Sequence, residues 1–400
     1  MGQPSEREAW VVRATTVGVG GETLNRLLGR FGGPADVLAA ASSGALESWL
    51  RSERPGVRRV PVSAPVADRL RRWPEQLDLV RTEVARLGLW LVTPLDADFP
   101  ARLGDLDEPP TVLFGQGDRS AALNTHSIAV VGTRRPTPYG RALAARVATR
   151  LVEAGAVVVS GLAVGIDGAV HAATIEAGGA TVGIIGGGHL HPGPRAHADL
   201  RRAVLDAGGA IVSEHLPATR PSRGTYPRRN RIIAALAAAT IVVEAPARSG
   251  ALITAGDALT IGRPVLVTPG RIGDWATMGS LRLLHDSPAT IVPDLDALLD
   301  EVWRLEPWRN RRQLPRREGD EPGSTALATL SGAQLAVAAA ICRAPAGLDR
   351  LVEETGLEPA AVAGAVTLLL MRGWLRPVGP AYLPAGALLQ SAGAAGTSVP

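Results

Sequence analysis

From residue 127 to residue 270 the chain repeats one pattern: a short apolar run, a glycine-rich turn, then a segment with helical spacing. This alternation is what a parallel sheet covered by helices on both faces needs, because parallel strands are joined by long crossovers and bury both sides. The apolar runs predict strands over 128–131, 157–160, 181–185, 210–213, 240–244, 264–268 and 289–292. Helices are expected over 139–154, 168–177, 198–207, 229–238 and 252–261. The fold class is therefore α/β with a doubly wound sheet. Its ligand belongs outside the carboxyl ends of the strands, where the glycine turns collect. Strand order stays open.

Other segments flank this domain. Residues 1–87 read as helical, and Thr16, Gly18 and Gly20 precede Leu24, Leu27, Leu28 and Phe31 at helical spacing. That arrangement is either a helix-hairpin-helix (SAM-like) turn, whose glycines let amides approach a phosphate, or an ordinary glycine turn between two helices. Residues 88–303 form the central domain, with short strands expected in its first thirty residues. Residues 304–324 mix proline, glycine and charge without periodicity and read as a linker. In 325–385, Val362, Val366, Leu369 and Leu370 share a helical face, and 374–376 and 382–383 resemble the two strands of a wing. A winged helix is expected there. Its candidate recognition segment, 360–371, carries no arginine, so protein contact or a structural role is expected in preference to duplex reading. The Gly/Ala/Ser-rich tail, 386–400, is expected to be disordered.

Composition removes several chemistries. All 42 basic residues are arginine; the absence of lysine excludes a Schiff-base, nucleophilic or P-loop lysine. A single cysteine, Cys342, excludes an internal disulfide and a cysteine-based zinc site, and points to a reducing compartment. No signal-peptide pattern opens the chain and no apolar run is long enough to cross a bilayer, so a cytoplasmic protein without membrane contact is expected.

The remaining candidates lie at the turns. Gly132, Thr133 and Arg134 join a strand to a helix, offering close backbone approach, a hydroxyl, a forked donor and a helix N-terminus for an anion. The turn from Ser160 through Gly161 and Gly165 does not match G-x-G-x-x-G, which argues against a dinucleotide. Asp167 and His171, four apart, form either an acid–base pair or a helix cap with a structural histidine, and the second reading is expected. His189, His191 and His197 lack flanking acidic ligands, so no metal is expected. Seven arginines fall between 201 and 231 against two acids, with Tyr226 among them. Such interleaving makes a groove for a single-stranded backbone with a ring for a base. Ser249 and Gly250 open another helix after Glu244, again offering amides and hydroxyls to an anion. No glutamate follows Glu244 until Glu301, which argues against paired-carboxylate hydrolysis.

In order and spacing these motifs resemble the DNA-processing protein A family, also called DprA or Smf. The likeness runs through Gly132-Thr133-Arg134, Ser160 to Asp167 with His171, Ser213-Glu214, Tyr226 to Arg231, Ser249-Gly250 with Thr254-Ala255, and Pro269-Gly270. It implies an extended Rossmann-like domain that dimerises and binds single-stranded DNA without strong sequence preference. It further implies protection of incoming strands and loading of the RecA recombinase in natural transformation. No catalysis and no cofactor are implied. The positions matching the family's DNA pocket are Gly132, Thr133, Arg134, Ser160, Gly161, Gly165, Arg228, Asn230 and Arg231, with Tyr226 where the family usually has phenylalanine. His189-Leu190-His191-Pro192 departs from the family pattern. Two alternatives stand beside this: a nucleotide phosphoribohydrolase of related fold, and a protein-docking adaptor acting through the winged helix.

Overall fold

A computed structural model describes residues 4–15, 21–52, 64–309, 330, 332–343, 346–372, 374–378 and 381–384. The glycine turn at 16–20, most of the expected linker and the expected disordered tail lie outside the described residues. The chain divides into two compact units, Met1–Arg312 and Gln313–Pro400.

The first unit begins with six helices: α1 (Glu6–Thr15), α2 (Gly21–Phe31), α3 (Pro34–Ser43), α4 (Ala45–Ser52), α5 (Ala64–Arg71) and α6 (Trp73–Arg86). Their apolar faces share one core, which also takes in Val112 and Phe114 at the first strands of the sheet. Nine strands follow: β1 (Trp90–Val92), β2 (Leu113–Gly117), β3 (Ser127–Val131), β4 (Val157–Ser160), β5 (Thr181–Ile184), β6 (Ala210–Ser213), β7 (Thr240–Val242), β8 (Val265–Val267) and β9 (Thr290–Ile291). The intervening helices are α7 (Arg119–Ala122), α8 (Pro138–Glu153), α9 (Ile166–Glu176), α10 (Ala198–Asp206), α11 (Thr225–Leu236), α12 (Gly250–Thr260), α13 (Met278–Asp286), α14 (Leu295–Arg304) and α15 (Glu306–Arg309).

The sheet order is β1-β2-β6-β5-β4-β3-β7-β8-β9. β3 to β9 pair in parallel, while β2 runs antiparallel to both β1 and β6. This is the expected doubly wound α/β sheet, Rossmann-like, with antiparallel strands added at one edge. The parallel strands β3 to β8 are buried on both sides, while β9, at the sheet edge, is exposed. Alternate residues such as Ile128, Val130 and Ile241 face α8, α9 and α14, while Ala129, Val131 and Val242 face α11 and α12. The apolar runs were continuous for this reason, since neither face meets water.

One boundary differs from the sequence reading. The stretch expected to be linker begins inside the fold: Trp308 on α15 is wholly buried and its indole N–H donates to the Ala154 carbonyl at 3.1 Å. A mixed-charge segment hid one large anchoring side chain.

In the second unit, α16 (Gly332–Arg343), α17 (Leu348–Thr355) and α18 (Pro359–Met371) enclose a core of Val337, Ile341, Leu351, Val362, Val366 and Leu369. An antiparallel hairpin follows, β10 (Leu375–Val378) with β11 (Ala381–Pro384). Three helices and a two-stranded wing make a winged helix. The exposed face of α18 presents Ala360, Ala363, Gly364, Thr367, Leu368 and Met371 and no charge. No single helix among the described residues is long and apolar enough to cross a membrane.

Candidate nucleic-acid interface

The chain leaves β3 toward β4 on one side and later returns to β7 on the other, so the loops after β3 and β7 part at this switch point. Gly132-Thr133-Arg134 emerges from β3. Thr133 is buried; its N–H donates to the Glu244 carbonyl at 2.7 Å and its carbonyl accepts from Ile166 N–H at 3.1 Å. The loops after β3, β4 and β7 are thus tied backbone to backbone. Gly165 makes this possible: its φ is +98° and a side-chain carbon there would lie 2.3 Å from the Thr133 carbonyl oxygen.

The N-terminus of α8, expected to favour a ligand anion, is already occupied from within the chain. Thr137 caps it, accepting from Gly140 N–H at 2.9 Å. The buried Glu244 carboxylate then accepts from the Thr137 N–H at 2.9 Å and from its hydroxyl at 2.5 Å. A resident anion already occupies that end of the helix dipole. The N-terminus of α12 is different. Ser249 caps it, accepting from Ala251 N–H at 3.3 Å, and its first turn carries no acid.

Beneath the loops lies a buried charged layer. Asp167 accepts from the N–H groups of Gly161 (3.1 Å) and Ala163 (3.4 Å). It therefore pins the loop before α9; the expected helix cap is absent, because the cap position is Gly165. Arg229, only 4% exposed, donates to the carbonyls of Gly161 (2.7 Å) and Ile184. Between these two clamps Leu162 holds a left-handed backbone (φ 52°) with its side chain buried against Ile185, Val204 and Ile211. Such strain persists where surrounding contacts over-determine it. Burial raises the Asp167 pKa although Arg229 opposes the shift. Burial also lowers Arg229 to about 10, so it remains a cation at neutral pH.

His171 is buried below this layer, its Nδ1 2.7 Å from the Thr181 hydroxyl, which in turn donates to the Val158 carbonyl. It is a structural histidine, as expected. Burial, with the charges of His197 and Arg229, pushes its pKa down to about 3. The unfolded chain's imidazole binds a proton near pH 6.5 while the folded one stays neutral. Stability from this group is therefore complete above pH 6.5 and is lost as pH falls toward 3, by about tenfold in the folding equilibrium per pH unit. Urea midpoints between pH 7 and pH 5 should fall, and His171→Gln should flatten that slope; an unchanged slope would refute the assignment.

Above the charged layer the loops enclose a cleft of two lobes. The first, about 540 Å³, lies between the β3 loop, the start of α11, the start of α12 and Trp275. The second, about 700 Å³, lies between residues 161–164, residues 190–195, Arg201 and Arg220. Both lobes are lined by Arg134, Tyr226 and Arg229, and the Arg134 guanidinium stands 5.7 Å from the centre of the Tyr226 ring. Seven arginines line the lobes: Arg134, Arg135, Arg195, Arg201, Arg220, Arg229 and Arg248. Among the described residues the acidic side chain lining them is Asp167 alone. Such a surface favours a polyanion, and a cation stacked on a ring leaves both a phosphate donor and an aromatic face.

The sequence candidates separate in space. Gly132, Thr133, Arg134, Tyr226, Asn230, Ser249 and Gly250 line the first lobe, and Gly161 lines the second. Ser160 is buried, its hydroxyl donating to the Val130 carbonyl at 2.7 Å, and Gly165 acts through loop packing. Arg228 and Arg231 line neither lobe, contrary to the carry-over that put them in the pocket. Arg231, 13% exposed in its side chain, donates to Glu214 at 2.5 Å; Arg228 lies 3.5 Å from Glu108 and 4.0 Å from Glu214. Helix geometry explains the split: positions 226, 229 and 230 share one face of α11, while 228 and 231 share another. Arg229, passed over within the same motif, was recoverable from that periodicity. Trp275 was not, because a lone tryptophan reads as core. Of the three clustered histidines, His189 bonds the Phe114 carbonyl (3.1 Å) and His197 the Leu162 carbonyl (3.0 Å). No group of three or more His, Cys, Asp or Glu among the described residues is placed to hold a metal.

Residues 90–303 match the family model described as DNA recombination-mediator protein A, and residues 321–379 match the DprA winged helix domain. The chain is 40% identical over 193 residues to the DNA processing protein DprA of Bacillus subtilis, covering 48% of this chain and 65% of that one. It is 36% identical over 302 residues to a putative DNA processing protein DprA of Mycobacterium tuberculosis, covering 72% and 75%. The X-ray structure of DNA processing protein A from Streptococcus pneumoniae superposes with a TM-score of 0.61 at 29% identity, covering 75% of this chain and 99% of that one.

Proposed function

The chain belongs to the DNA recombination-mediator protein A family, and from that premise we propose that its cleft binds single-stranded DNA without sequence preference. The observation that carries this is the cleft itself: seven arginines, one buried acid, and a ring under Arg134. Guanidinium groups meet phosphates whatever the base, and a ring stacks on any base. The side chain best suited to reading a base edge, Asn230, already spends its amide on the Gly250 carbonyl at 3.1 Å, which supports indifference to sequence. A duplex hides its bases from a stacking ring, so a free strand is the better fit.

The protein is a non-catalytic binder in this reading. Glu244, the carboxylate next to the α12 loop, is committed to α8 and supports no hydrolytic role. Protection of incoming strands, delivery to a RecA recombinase and homodimer formation rest on family likeness, and a cytoplasmic location on the sequence pattern alone. The test is fluorescence anisotropy with labelled oligo-dT and a duplex of equal length. Oligo-dT should bind more tightly, with an affinity that falls steeply with salt. Equal or weaker binding of oligo-dT would refute the proposal.

A further inference from the structure

Trp275 lies on the wall of the first lobe and is 51% exposed. A tryptophan brings a large apolar area, and leaving half of it in water forgoes stabilisation that burial would provide. The backbone does not leave it exposed through slackness. Asp274 N–H donates to the Arg271 carbonyl at 3.2 Å, Ala276 N–H donates to the Asp274 carboxylate at 3.0 Å, and the Thr277 hydroxyl donates to the Arg271 carbonyl at 3.0 Å. Ala276 and Thr277 are themselves buried. A tightly bonded turn between β8 and α13 thus anchors the residues after the indole and presents the ring to the cleft. The same lobe contains Arg248 and the uncompensated N-terminus of α12. Both attract a phosphate.

Resting on the single-strand reading above, we infer that Trp275 is a second base-stacking platform. The first lobe then holds one nucleotide unit. Its phosphate is drawn by Arg248 and the start of α12, and its base lies against the indole. The Arg134–Tyr226 pair serves the neighbouring unit, where the two lobes meet. An indole suits this role because it has only two side-chain torsions to immobilise and accepts any base.

The test compares the parent, Trp275→Ala and Trp275→Phe on labelled oligo-dT and on an abasic deoxyribose-phosphate strand of the same length. Trp275→Ala should weaken oligo-dT binding about five- to tenfold. It should leave abasic-strand affinity and the salt slope unchanged, because no phosphate contact is removed. Trp275→Phe should keep most of the oligo-dT affinity. Parent-like oligo-dT binding by Trp275→Ala overturns the inference, as does an equal loss on both strands. Either result leaves the single-strand reading standing as long as the parent binds and Arg134→Ala binds more weakly. If the parent binds no oligonucleotide, both readings fall.

Discussion

Replacing Arg229 by methionine should destabilise the protein by about 1.5–3 kcal/mol, the usual cost of losing a charged donor to buried acceptors, with the nearby Asp167 losing its countercharge as well. Arg229 is flanked by Asp167, and a side-chain carbon at Gly161 would stand 2.7 Å from both groups. Methionine fills much of the volume but leaves the carboxylate buried and uncompensated, and leaves the Gly161 and Ile184 carbonyls without this donor. Burial already raises the Asp167 pKa with Arg229 present; without the cation it rises further. The folded variant then holds its proton to higher pH than the unfolded chain, so the loss is largest at pH 7 and shrinks toward pH 5. Denaturant midpoints at both pH values measure this, and Asp167→Asn in the methionine background should restore much of the loss. A cost below about 1 kcal/mol would mean that the charged layer does not hold the loops.

Arg134→Ala should weaken oligo-dT binding by roughly thirty- to a hundredfold. A charged hydrogen bond to phosphate contributes about 1.5–3 kcal/mol, and the guanidinium also stacks on Tyr226 at 5.7 Å. Losing one phosphate contact should reduce the salt slope by about 0.7 for a single strand. Arg231→Gln is the informative contrast. It breaks a pair with Glu214 outside the cleft, so its binding and salt slope should stay near the parent's while stability falls. Anisotropy titrations at several salt concentrations separate the two. If both variants lose affinity alike, the cleft is not where the strand lies.

These two arginines also show where sequence reasoning stops. Both sit in basic motifs directly after glycine turns or within α11, and composition treats them as equals. Arg134 is free to meet a ligand because its partner is a ring; Arg231 is neutralised by Glu214, seventeen residues earlier in the chain. Likewise the ends of α8 and α12 look equivalent in sequence. Glu244, 107 residues beyond Thr137, closes the first and leaves the second open.

The sequence by itself determined the layered sheet, the position of the cleft at the strand ends and the winged helix. Those follow from periodicity and from turns that need glycine, both local properties of the chain. Tertiary structure alone decided which charges reach solvent in the cleft, which are consumed in burial, and that Trp275 is offered rather than packed away. Charge neutralisation and burial depend on neighbours brought together only by folding, and no local pattern records them.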